Sequence, residues 1–252
     1  MNDGVIFDAG SISLLPGVLA ESVWAPQPGL LKRERTRLQL VQAAIRVFSA
    51  RGYADATMQE IATAASMTTG TVYNHFKTKE EVASAVALLL AHTLCRRITD
   101  SQQGVAEGAQ RMAIGIRRYI WLAEQSPEWA RMMLDVSAAA PEMLLELRDY
   151  VLTDLRLGVK QKAFRVPSEM AAMDLINGTV QQAMRTVALG GAPGSHGREV
   201  ASGVLRGLGM EWAEAKRTAQ RALPPFPPMN AGPAARADAA MARAKKAKRA
   251  AT

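Results

Sequence analysis

Between Thr57 and Glu81 three helix-start signals follow so closely that the chain has room only for very short helices. Thr57-Met58-Gln59-Glu60 has the form of a capping box, in which the threonine oxygen accepts an amide of the first turn and the glutamate reaches back to the threonine amide. Thr68 is a second start, with Met67 and Val72 at the spacing of a hydrophobic staple. Thr78-Lys79-Glu80-Glu81 is a third, which makes Glu80 and Glu81 cap and dipole partners, not catalytic carboxylates. A helix of about seven residues cannot hold itself together in water, because nucleation costs more than a few hydrogen bonds return. These segments must therefore pack on one another and on longer neighbours.

The neighbours are also helical. Leu38, Val41, Ile45 and Phe48 recur at intervals of three and four and form one apolar stripe, after which Gly52 can turn the chain. Ile61 and Ala65, then Val72 and Phe76, then Val82, Val86 and Leu89 give the inward faces of the next three helices. Longer helices are predicted over 104–125, 127–138, 141–163, 167–189 and 198–223, three of them headed by a proline, which suits a first turn whose amide is unpaired. No segment alternates with a period of two, so the fold class is all-α. Four regions follow: a proline-containing arm over 1–31, expected to be extended or disordered; short capped helices over 32–100; long helices over 101–223; and a flexible basic tail over 224–252.

Two short helices joined across residues 65–68 have the dimensions of a helix-turn-helix, whose second helix enters the DNA major groove. At 1.5 Å per residue the second is about 10 Å long and fits end-first into a groove about 12 Å wide. With Val72 and Phe76 inward, Thr69, Gly70, Thr71, Tyr73 and Asn74 fall outward. Threonine offers base edges a hydroxyl and a methyl, asparagine can bond adenine through two atoms, and glycine allows close backbone approach. His75, Lys77 and Lys79 sit where cations and free amides attract phosphate. The plainer reading of the same pattern is a solvated helix in an all-α domain.

The segments RVFSARGYADAT, IATAASMTTGTVYNHF and KTKEEV together resemble the N-terminal domain of the TetR family of bacterial transcriptional regulators. The resemblance covers about a fifth of the chain, from Arg33 to Val86. It implies phosphate or backbone contacts by Thr57, Tyr73, His75 and Lys79, and groove-facing positions at Thr69, Gly70, Thr71 and Asn74; Thr68 and Lys77 complete the candidate DNA-binding set. Ser66 stands where many members have glycine in the turn, and serine adopts a left-handed conformation less readily. The resemblance further implies a palindromic double-stranded operator, a homodimer, a small apolar or amphipathic effector and, most commonly, repression.

In the second half, Ala201, Leu205, Leu208, Trp212, Ala215 and Ala219 alternate spacings of four and three, a heptad seam flanked by Gly203, Gly207 and Gly209. The resemblance implies that the last two long helices form a four-helix bundle with a second subunit, so Met184, Leu205, Leu208 and Trp212 are the expected dimer contacts. A seam of the same period can equally close the core of one chain. Methionine and tryptophan are frequent between residues 104 and 189, and such side chains suit an adaptable apolar pocket. Met112, Trp121, Met132, Met133 and Met173 are candidate ligand contacts, with Asp135 and Asn177 as polar groups to orient a ligand. Each of them also reads as ordinary core or as a bond to a neighbouring helix end.

Catalysis finds little support in the sequence. His75, His92 and His196 are widely separated, and neither a nucleophile elbow nor a phosphate-loop lysine is present. GGAPGSHG reads as a connector, and Cys95 as a small buried residue; as the single cysteine it excludes an internal disulfide and a multi-thiolate metal site. No metal, cofactor or catalytic residue is therefore expected. The net charge of +8 is concentrated in the tail, where Arg236, Arg243, Lys245, Lys246, Lys248 and Arg249 oppose only Asp238. A cytoplasmic protein without a membrane span is expected, since the apolar run around Leu88 is flanked by charges and is shorter than about 18 residues. Two rivals to the regulator are an all-α small-molecule-binding protein or enzyme, and a non-specific nucleic-acid binder driven by the tail.

Overall fold

The computed structural model describes residues 17–24, 29–139 and 143–228. Most of the expected N-terminal arm and the basic residues of the tail, from Arg236 onward, lie outside these residues. Every regular element among the described residues is a helix: α1 Gly17–Val23, α2 Lys32–Arg51, α3 Met58–Ala64, α4 Thr69–His75, α5 Lys79–Ser101, α6 Gly108–Gln125, α7 Pro127–Ala139, α8 Met143–Lys160, α9 Glu169–Ala188, α10 His196–Gly207 and α11 Trp212–Gln220. The chain forms two compact units. One comprises the described part of Met1–Thr93 with Leu122–Glu146 and Met184–Gly191; the other comprises Leu94–Trp121, Leu147–Ala183 and the described part of Ala192–Thr252. The expected division near residue 100 is linear, whereas α5, α6, α8 and α9 each give residues to both units.

In the first unit the predicted stripe of α2 is buried at Val41, Ile45 and Phe48, while Leu38 at its start is only half-buried. Gly52 leaves the helix at φ +81°, and its amide closes onto the Phe48 carbonyl at 2.8 Å. Ile61, Val72 and Phe76 add fully buried side chains from α3 and α4. Each large apolar side chain so removed from water contributes on the order of 1.5–3 kcal/mol. Short helices thus persist because their inward faces share one core. α5 is long and apolar enough to span a bilayer by composition, with a mean hydropathy of 1.3 in its most apolar window, but 67% of that window is buried in the chain. It is a core helix.

The arm differs from expectation over residues 17–23, which form α1. Leu19 and Val23 lie four apart on one helical face and both are fully buried. Gln42 Nε2 of α2 donates to the Val23 carbonyl at 2.7 Å, and the Arg46 guanidinium lies 4.8 Å from the Trp24 ring centre. Tertiary contacts therefore order a stretch whose local pattern is too short to announce a helix.

The second unit corrects the last predicted helix. The expected element over 198–223 is two helices, α10 and α11, separated at Leu208 and Gly209. The chain backbone of the α8–α9 connection crosses there: Arg165 donates its amide to the Leu208 carbonyl at 2.8 Å, and a Cβ on Gly209 would lie 2.8 Å from the Arg165 carbonyl oxygen. Gly209 takes φ +93°, which ends α10, and the Glu211 carboxylate accepts the Ala213 amide at 2.6 Å to start α11. Ala201, Leu205, Leu208, Ala215 and Ala219 are all fully buried within the chain, while Trp212 is 52% exposed. The heptad spacing is real, but it closes this chain's own core. The close approach expected of the seam glycines occurs at Gly207, where Leu175 of α9 occupies the space a Cβ would need.

Candidate nucleic-acid interface

The elements that position the polar stretch are capped as the sequence predicts, with one variation. Thr57 Oγ1 accepts the Glu60 amide at 3.2 Å and the Glu60 carboxylate accepts the Thr57 amide at 3.0 Å, a complete capping box. The Thr57 hydroxyl also donates to the Glu60 carboxylate at 2.9 Å, and this bond first, then the one from the Thr57 amide, with Arg51 at 3.0 Å, hold the Glu60 carboxyl below the usual carboxylate range. Thr68 Oγ1 accepts the Thr71 amide at 3.2 Å and so caps α4. At the start of α5, Thr78 Oγ1 accepts the Glu81 amide at 3.2 Å, but the Glu81 carboxylate reaches the Lys77 amide at 2.6 Å in place of the Thr78 amide. The return bond is displaced by one residue, to the link between α4 and α5, where the Phe76 backbone is extended.

Between α3 and α4, Ser66 adopts φ +55°. The turn takes the left-handed conformation that glycine adopts most readily, and here a serine carries it.

On α4, Val72 and Phe76 are buried at 0% and 1% exposure, so the opposite side faces solvent. Gly70, Tyr73 and Asn74 are exposed; Thr69, Thr71 and His75 are half-buried; Thr57, Thr68 and Lys77 at the flanks are exposed. The expected groove-facing residues are thus all at least partly open to solvent, whereas Lys79, expected to contact the DNA backbone, is engaged with the loop after α2. A Cβ added to Gly70 would meet only Thr68 Oγ1, at an ordinary 3.8 Å, so internal packing gives no reason for a glycine in this helix.

Three side chains do more than the sequence suggests. The Thr69 hydroxyl donates to Gln59 Oε1, which ties α4 to α3. The Lys79 ammonium donates to the Tyr53 carbonyl at 3.0 Å and the Ala54 carbonyl at 2.8 Å, and lies 4.8 Å from the Tyr53 ring centre. Lys79 therefore clamps the loop after α2, with two of its three N–H groups used inside the unit. Lys77 Nζ likewise donates to the Tyr73 carbonyl at 2.9 Å, at the C-terminal end of α4 where a cation is favoured.

Sequence reasoning missed Arg33 and Arg37. His75 is held below the usual histidine range by burial first, and then by the charges of Arg33 and Arg37, so both cations stand near the end of α4. The Arg37 guanidinium lies 4.8 Å from the Phe76 ring centre. The signal available in the sequence was a pair of arginines four apart at the start of α2, which share a helical face.

The ligand candidates are not gathered as one cluster within a unit. Met132, Met133 and Asp135 belong to the first unit, and Met112, Trp121, Met173 and Asn177 to the second. The four methionines are buried, Trp121 and Asn177 are half-buried and Asp135 is exposed. Met132 has a packing role visible in the structure, since its sulfur accepts the Ser49 hydroxyl of α2 at 3.5 Å. Of the dimer candidates, Met184, Leu205 and Leu208 are buried within the chain, which leaves Trp212, stacked 5.4 Å from the Arg206 guanidinium, as the exposed one.

Residues 40–86 match the family described as bacterial regulatory proteins, tetR family, and residues 107–221 match the tetracyclin repressor-like C-terminal domain. The HTH-type transcriptional regulator SrpR of Pseudomonas putida is 46% identical over 61 residues, 24% of this chain and 29% of that protein. The chain thus spans less than a third of that curated relative. Among solved structures, RolR in complex with resorcinol is similar at a TM-score of 0.68 with 24% identity, covering 78% of this chain and 98% of that one. FadR of Bacillus subtilis in complex with stearoyl-CoA gives a TM-score of 0.55 with 19% identity, covering 68% of this chain and 96% of that one. At these identities the solved structures show a shared fold.

Proposed function

We propose, since the chain belongs to the TetR family, that it is a DNA-binding transcriptional regulator, a homodimeric repressor that reads a palindromic operator through residues 69–75 and is released by a small effector. The observation that carries the reading is the division of α4 into a buried side, Val72 and Phe76, and a solvent side of Thr69, Gly70, Tyr73 and Asn74. A seven-residue helix reads few bases, so specificity requires two copies related by a twofold axis, with half-sites about 34–36 Å apart or at a related spacing. Thr57, Arg33, Arg37 and His75 hold phosphates on either side. Repression is the sign favoured by the match to a tetracyclin repressor-like domain.

An effector acts only by preferring one of two conformations. The structures of RolR with resorcinol and FadR with stearoyl-CoA support a small apolar or amphipathic molecule as that effector. The setting of such a regulator is the cytoplasm. The family likeness favours this reading over an all-α enzyme or a tail-driven nucleic-acid packager.

The test is selection of bound sequences from a random double-stranded DNA pool at near-physiological salt, with the full chain and with its Asn74→Ala variant. Recovery of one palindrome by the full chain, with altered preference in the variant, is the expected result. Failure to enrich any motif, or an identical motif from both proteins, would overturn the assignment of α4 as the reading helix.

A further inference from the structure

The second unit buries two arginines under an aromatic side chain of the chain's own C-terminal segment. Arg97 and Arg118 are each only 6% exposed. Both guanidinium groups face one phenyl ring: Phe226 lies with its centre 3.9 Å from Arg118 and 5.5 Å from Arg97. Trp121 completes the wall, its ring 6.0 Å from that of Phe226 and 5.3 Å from the Arg118 guanidinium. Arg118 Nη2 donates to the Pro224 carbonyl, and the neighbouring Arg117 donates to the Arg221 carbonyl at 2.5 Å.

This arrangement leaves a charge uncompensated. Burial, and then the charge of Arg117, push the Arg118 guanidinium down to about 10. Among the described residues Arg118 has no carboxylate partner, and its Nε, fully buried, has no hydrogen-bond acceptor. A buried cation without an anion is expensive, because one neutral carbonyl replaces little of the hydration it has lost. The covering segment is PPFPP, residues 224–228. Four of its five residues are prolines, which have no amide hydrogen, so the strap presents Arg118 with the Pro224 carbonyl and both arginines with a single ring. At Arg118 the Phe226 ring and the Pro224 carbonyl together supply the shape of an arylalkyl carbonyl compound without the charge.

We propose that Arg97, Arg118 and Trp121 form a binding site for an aromatic carboxylate, and that Phe226 with the Pro224 carbonyl occupies this site as a built-in neutral substitute. An arylcarboxylate returns the ring to the guanidinium face and replaces one carbonyl by two anionic oxygens. Charge-assisted hydrogen bonds to a guanidinium are about twice as strong as neutral ones, so the exchange is favourable on the polar side and even on the apolar side. The described segment after Arg221 is non-helical, so it can leave without unravelling a helix. Binding at this site is a property of the second unit; a role for its occupant as the effector rests on the regulator reading above.

Calorimetric titration of the full chain with phenylacetate, and with 2-phenylethanol as the neutral isostere, tests the site. Phenylacetate binding about tenfold tighter than 2-phenylethanol is expected. Phe226→Ala removes the competing ring and strengthens phenylacetate binding several-fold, whereas Arg118→Gln abolishes it. Arg118→Lys, which keeps the charge and spares the fold if Gln does not, loses affinity through loss of the planar fork. Equal binding of the two probes, unchanged or weaker binding by Phe226→Ala, or no binding by either protein would overturn the proposal. DNA affinity measured with and without phenylacetate reads the regulator instead of the site, so failure of one is distinguishable from failure of the other.

Discussion

Thr69, the first residue of α4, donates its hydroxyl to Gln59 Oε1 on α3. A side chain on the candidate reading surface is therefore engaged before DNA arrives. Its partner is exposed and polar, so exchange of Gln59 for a base edge or phosphate oxygen is cheap.

Gln59→Ala should release Thr69 with little effect on folding, about 0.5–1 kcal/mol in denaturant unfolding. Operator affinity or base preference should change, because the Thr69 hydroxyl is then free to choose its acceptor. A variant with unaltered DNA selection would show that the pair serves only to join α3 and α4.

Gly70→Ala separates folding from recognition. The added methyl meets only Thr68 Oγ1 at 3.8 Å, and alanine favours helix over glycine by about 1 kcal/mol. Thermal unfolding should thus be unchanged or raised, while operator binding falls about tenfold or more through lost backbone approach. Equal DNA affinity would remove Gly70 from the contact surface.

Ser66→Gly should stabilise the chain by about 1 kcal/mol, since the native turn holds a residue with a Cβ at φ +55°. The chemical-denaturation midpoint is the readout. A lowered midpoint would mean that the serine side chain contributes more than the conformation costs.

DNA binding should strengthen as pH falls toward the ordinary histidine range. Burial, and then the charges of Arg33 and Arg37, lower the His75 pKa in the free chain, so its folded pKa lies below its unfolded one. A phosphate beside the three groups offsets the arginine charges and raises that pKa, and binding takes up a proton. In the free chain the sign is opposite: the neutral form is favoured by folding, and that contribution is fully present above the unfolded histidine value and is lost as pH falls from there through the lower folded one. Titrations of operator affinity against pH at constant salt should show a slope that His75→Gln abolishes; a slope retained in the variant would assign the proton elsewhere.

Leu205 and Trp212 share a heptad but not a role. Leu205→Ala should cost roughly 2–5 kcal/mol of stability, as for a fully buried leucine. Trp212→Ala should leave the unfolding of one chain nearly unchanged and weaken self-association, measured by sedimentation equilibrium. If Trp212→Ala destabilises the fold and leaves association intact, the exposed side of α11 is not part of the dimer contact.

The caps, the three-and-four spacing and the outward polarity of α4 were legible because each depends on residues within one or two turns of each other. Thr57 with Glu60, Thr68 with Thr71, and Val72 with Phe76 are local pairs, and a helix brings them together whatever else the chain does. Tertiary structure decided everything that depends on residues far apart. The Arg165 connection breaks the last helix at Gly209, α2 orders α1 through Gln42 and Val23, Lys79 turns inward to Tyr53, and Phe226 settles on Arg118. A period of seven states that a helix has an apolar seam; which surface covers that seam is a property of packing, and here five of its six positions close on their own chain while Trp212 stays outside.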